Sequence, residues 1–231
     1  MKRSTWWLEL PGLLLPPVML IYVALTGLEP VALLTLLASF AGNVFMLYAF
    51  ERTRPQAGDL VPIVVLAAIA TAGRLLFAPF ASFKPMAAVA IVAGLSFGRL
   101  SGYATGALAM FISNLFFGQG PWTPWQMFAF GLAGWFAGFI RLPDREKRRV
   151  LVPVLGFFFA FLSGFMLDLW YVVGFVSPLT WPAVITAFLS GFYFNLSGAV
   201  ATVVFLIPIQ APWVQALQRI QRKYGLRSPK S

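Results

Sequence analysis

Long apolar runs separated by short polar or charged connections occupy most of the chain. A helix rising about 1.5 Å per residue needs roughly 20 apolar residues to cross about 30 Å of hydrocarbon. Eight runs approach that length, near residues 12–27, 31–50, 60–80, 85–98, 101–117, 124–140, 150–176 and 182–209. They predict an all-α integral membrane protein of packed transmembrane helices. The fourth run is too short to cross unaided, and Pro85 with Gly94, Gly98 and Gly102 predicts a tucked, broken or closely packed helix, leaving seven or eight spans. Polar and charged residues from Glu51 to Asp59 form a linker that divides the chain as two spans plus six.

Composition agrees with a bilayer as solvent. The 231 residues are 60% hydrophobic and 10% charged, too little polar surface for a water-soluble globule. The net charge of +10 does not indicate nucleic acid, because the basic residues are scattered between apolar runs rather than clustered on one face. They fit the positive-inside rule instead. With the N-terminus in the cytoplasm, Lys2 and Arg3, Arg52 and Arg54, Arg99, the cluster from Arg141 to Arg149, and the basic tail all fall on the inner side; of the 17 Lys and Arg residues, Lys84 and Arg74 are the exceptions. Eight spans therefore place both termini inside. Lys2 and Arg3 before an apolar run resemble a signal peptide, but no convincing small-residue cleavage site follows, so a retained first helix is expected.

The chain has no Cys and no His, which excludes thiol chemistry, zinc sites of the usual ligand type and catalysis with histidine as base. No metal site and no cofactor are expected. A membrane enzyme using Asp168 as acid or base lacks a second acid or a metal cluster to work with. The P-loop pattern is also absent, so active transport needs a partner or an ion gradient.

Charges within apolar runs are costly unless paired or wet, which singles out Arg74 and Asp168. Counted inward from Phe80 and Val176, they lie at depths of about 9 and 12 Å, where they can meet. Such a pair either fixes helix packing or lines a ligand cavity. The stretch from Ser113 to Gln126 carries no formal charge. Gly118, Gly120, Pro121 and Pro124 force a compact turn there, while Asn114, Gln119, Thr123 and Gln126 set hydrogen-bonding groups beside Trp122 and Trp125. That composition suits an aromatic belt at the membrane interface, or an organic ligand. Lys84 and Tyr171 join the candidate binding set. Gly191 and Gly198 flank Asn195 at helical spacing, a stripe that packs closely while the amide bonds across helices. Ala68 and Ala72 form a small-residue pair that invites another helix, from this chain or a partner. In the tail, Trp213, Leu217 and Ile220 are spaced as in an interfacial helix or a solvated helix end.

The segment from Ala68 to Arg74 leading to Phe80 and Lys84-Pro85, the glycines at 94, 98 and 102, and the Ser113–Gln126 stretch followed by Met127-Phe128-Ala129 resemble the substrate-specific S components of energy-coupling factor (ECF) transporters, particularly the branch with cobalamin-specific members. The resemblance spans about residues 60–209. It implies a six-helix core at 59–210, preceded by a two-helix extension at 1–58 and followed by a basic tail at 211–231. It further implies an S component that captures a vitamin, cobalamin or another corrinoid first among them, in a cavity made by the outer halves of the helices. A transmembrane T component, docked on Ala68 and Ala72, and two ATPase subunits would drive uptake. The competing reading is a stand-alone secondary transporter coupled through Arg74 and Asp168.

Overall fold

A computed structural model describes residues 5–140 and 145–226. Lys2, Arg3, Arg141, Arg227 and Lys230, used above to orient the chain, lie outside them. The described residues form eight helices and no strand: α1 (Trp6–Thr26), α2 (Val31–Arg52), α3 (Ala57–Leu76), α4 (Met86–Phe97), α5 (Arg99–Phe117), α6 (Trp122–Ala137), α7 (Arg145–Phe175) and α8 (Trp181–Lys223). Six of them, all but α4 and α6, are long and apolar enough to cross a membrane.

The short fourth run has a clear structural outcome. α4 has 12 residues, about 18 Å of helix, nearly all of them buried among the neighbouring helices. Gly98, at φ 91°, breaks the chain between α4 and α5, a backbone conformation that glycine tolerates. Gly94 and Gly102 bring α4 and α5 against the α6 backbone, and a Cβ at either position would overlap the Gly134 carbonyl. Small residues therefore set the closest packing of the bundle, as they do where membrane helices associate without a hydrophobic drive between them.

Three boundaries differ from expectation. α1 begins at Trp6, ahead of the predicted run, and takes Glu9 into the helix. The linker expected from Glu51 to Asp59 shrinks to residues 53–56, because α2 continues to Arg52 and Asp59 caps α3, its Oδ2 accepting the Gln56 backbone N–H at 2.8 Å. The tail is continuous with α8 instead of forming a helix of its own, with Ile220 exposed near its end. α8 continues through Pro208 and Pro212 to Lys223, and Trp213 and Leu217 pack against the clusters formed by α3, α4 and α6.

The hairpin of α1 and α2 packs against α5, α6 and α7. Leu8, Met46 and Ala49 enter one apolar cluster with Tyr103, Leu132 and Trp135. Polar contacts lock the same interface. Glu9, fully buried, accepts from Arg99 Nε at 2.6 Å and Nη2 at 2.8 Å, and from Trp135 Nε1 at 3.0 Å. Asn43 Oδ1 accepts from the Tyr103 hydroxyl at 2.9 Å, and its Nδ2 donates to the Pro124 carbonyl at 2.8 Å. Arg99 is thus a buried structural cation rather than a free charge in a connection.

Candidate functional site

The C-terminal ends of α3 and α5 meet the N-terminal ends of α4 and α6 beside the middle of α7 and α8. Between them lies a cavity of about 180 Å³, whose polar lining includes Arg74, Ser82, Lys84, Gln126 and Asn195, with Met110 and Phe130 among the apolar walls.

Arg74 reaches this place from the last turn of α3. Its Nη1 donates to Ser113 Oγ at 2.5 Å and Asn114 Oδ1 at 2.7 Å, both on α5, and its guanidinium stands 4.7 Å from the Phe117 ring centroid. Asn114 is 1% exposed. Its Nδ2 donates to Thr123 Oγ1 at 3.1 Å and Gln126 Oε1 at 2.8 Å. Thr123 donates in turn to Gln119 Oε1 at 2.8 Å, and Gln119 Nε2 donates to the Phe111 carbonyl at 3.0 Å. Asn114, Thr123 and Gln119 therefore spend their hydrogen bonds on closing the α5–α6 turn and orienting Gln126. Of this group, Arg74 and Gln126 face the cavity.

Lys84 lines the cavity from the α3–α4 connection, its Nζ 5.6 Å from the same Phe117 ring. Burial, and secondarily the nearby Arg74 charge, hold its ammonium below the ordinary lysine value. The connection is held on α8 by Ser197 Oγ, which donates to the Ala81 carbonyl at 2.9 Å, and by Phe77 and Phe83 packed on Phe205.

The Arg74–Asp168 ion pair does not form. Arg74 bonds to α5, while Asp168 Oδ2 accepts from Asn195 Nδ2 at 2.5 Å across the α7–α8 interface. Gly164 faces Asn195 and Gly191 faces Asp168, so the glycines make room for that bond. Asn195 thus packs between helices and also lines the cavity; Gly198 opens onto it beside Ser82.

Three aromatic candidates stand away from the cavity. Trp125 is fully buried on the opposite side of α6, its ring 6.3 Å from that of Trp170 and in one cluster with Leu20 of α1. Trp122 is 41% exposed over the α5–α6 turn, and Tyr171 is exposed and stacked on Phe175. The signal that separates Trp125 from its neighbour is helical: successive residues point about 100° apart, so Thr123, Gln126 and Phe130 share one face while Trp125, Phe128 and Leu132 share another.

Sequence reasoning did not single out Ser82, Ser113 or Phe117, which respectively line the cavity, hold Arg74, and stand against both cations. It also missed Glu9 and Asn43. An acid close to the first apolar run was the available sign for Glu9.

Ala68 and Ala72 face outward on α3 with Val61, Val64 and Val65, whereas Ala67, Ala70 and Thr71 turn inward, Thr71 Oγ1 donating to the Ala109 carbonyl at 3.3 Å. The small-residue pair thus lies on an uncovered face.

Residues 59–210 match the family model described as "ECF transporter, substrate-specific component". No curated protein and no solved structure matches the chain. The match covers α3 from its third residue to α8 and leaves out the α1–α2 hairpin. The chain belongs to the family of substrate-specific components of ECF transporters.

Proposed function

We propose that this protein captures a small micronutrient in the cavity between α3, α5, α6 and α8 and delivers it for ATP-driven import by a T component and two ATPase subunits. The observation that carries this reading is the cavity itself, where cations and amides from α3, the α3–α4 connection, α6 and α8 converge in a bundle without a P-loop of its own. The exposed Ala68–Ala72 face gives the T component a surface on which helices approach closely.

Cobalamin fits this cavity less well than a smaller vitamin does. Its volume of about 180 Å³ is below the roughly 300–1,000 Å³ of pockets for drug-sized ligands, and a corrinoid is larger than those. Nor do Trp122 and Trp125 line the cavity, so the stacking expected for a corrin ring has no platform there. A corrinoid would require α7 and α8 to open away from α3 and α5. The secondary-transporter reading loses its coupling pair, since Arg74 and Asp168 hold different partners.

Co-expression with T and ATPase subunits, followed by purification and vesicle uptake, tests the reading. Assembly and ATP-dependent uptake are expected. Assembly should be lost in Ala68→Trp and Ala72→Trp while the isolated subunit stays folded. Uptake driven by a proton gradient alone would contradict the proposal.

A further inference from the structure

The cavity is dominated by hydrogen-bond donors. The Arg74 guanidinium makes its side-chain contacts through Nη1, to Met110 Sδ, Ser113 Oγ and Asn114 Oδ1, which leaves the Nε–Nη2 edge without an acceptor among the described residues. Lys84 Nζ has an aromatic ring beside it but no carboxylate among the described residues. Gln126 spends its Oε1 on Asn114, which leaves its Nε2 as a donor. Among the described residues no Asp or Glu lines the cavity; Asp168 stands behind Asn195 and is engaged with it.

Two cations in a partly desolvated space, with no facing carboxylate, are an arrangement that an anion stabilises. The free Nε–Nη2 edge presents two parallel N–H groups, the geometry that matches two oxygens of a carboxylate or phosphate. The Phe117 ring lies against both cations, 4.7 Å from the Arg74 guanidinium and 5.6 Å from the Lys84 ammonium. Asn195 Oδ1 and the hydroxyl oxygens of Ser82 and Thr202 are the side-chain acceptors on the lining, for polar groups of the same ligand.

We infer that the substrate of this cavity is a small organic anion whose carboxylate or phosphate sits between the Nε–Nη2 edge of Arg74 and the ammonium of Lys84, with Gln126 Nε2 as a third donor. This rests on the S-component reading and narrows its substrate to a charge class. It excludes neutral corrinoids and cationic vitamins as preferred ligands.

The test uses the full chain purified in detergent and matched probes that differ in the anionic group: nicotinate against nicotinamide, biotin against biotinamide, pantothenate against panthenol, and pyridoxal 5′-phosphate against pyridoxal. Thiamine, riboflavin and cyanocobalamin serve as non-carboxylate references. Tryptophan quenching reports binding. At least one anion should bind about tenfold or more tightly than its uncharged partner. Lys84→Met should shrink that preference, and since Lys84 makes no side-chain hydrogen bond its loss leaves the bundle's polar contacts intact. Equal binding of both members of every pair, binding of a reference compound in preference to every anion, or no anion bound would overturn the inference. Co-purification with T and ATPase subunits is scored separately, so the S-component reading can stand when the charge preference fails, and the reverse.

Discussion

Two arginines in this bundle are withdrawn from water, and they have opposite surroundings. Arg99 is 5% exposed and meets Glu9 through two charge-assisted hydrogen bonds, with the Trp6 ring 4.5 Å from its guanidinium. Arg74 is held through Nη1 by the neutral groups of Ser113 and Asn114 and lines a cavity shared with a second cation. The first arrangement is complete without a ligand and fastens α1 to the α5–α6 pair. The second is complete only when something negative enters. A buried charge is therefore a guide to function according to whether its partners lie within the chain.

The contrast is broken most severely at Arg99. Replacing it with Met leaves the Glu9 carboxylate buried without its cation, and removing one member of such a pair costs about 3–5 kcal/mol. Thermal unfolding in detergent should show that loss, with Glu9→Leu in the Arg99→Met background recovering much of it. Recovery of nothing would mean that packing, rather than the ion pair, holds the hairpin. At Arg74 the effect moves from stability to binding. Arg74→Lys keeps a charge but loses the two-point edge, so affinity for an anionic ligand should fall about tenfold, as read by fluorescence titration.

Lys84 sharpens the comparison through pH. Its folded-state value lies below the ordinary 10.5, and only its protonated form attracts an anion. Affinity should therefore weaken as pH rises through that lowered value, starting below the range of a free lysine. Lys84→Met should remove the dependence; an unchanged profile in that variant would assign it elsewhere. The smallest effect is expected at Trp125. Trp125→Phe should leave ligand affinity unchanged within error while lowering stability modestly, because the ring is buried against Trp170 and Leu20.

Much of this was legible in the chain. Apolar run lengths located the helices, and glycine spacing marked the tight place at α4. Arg74, Lys84, Gln126 and Asn195 stood out as polar groups in or beside apolar runs, and the cavity brings all four together. Orientation across a helix was not legible from composition. Trp125 and Gln126 are adjacent in the chain, yet one packs toward the N-terminal hairpin and the other lines the cavity. Pairing at a distance was not legible either. Arg74 and Asp168 were expected at matching depths, but depth does not determine which neighbour an ion meets. Glu9 and Arg99, 90 positions apart, were brought together by helix packing that no local pattern encodes.

The most direct measurement is native mass spectrometry of the full chain purified from cells, wild type beside Lys84→Met, with the retained small molecule released and identified. The account predicts a small carboxylate or phosphate compound on the wild type and its depletion on the variant. A retained corrinoid, or a neutral compound held equally by both proteins, would contradict it.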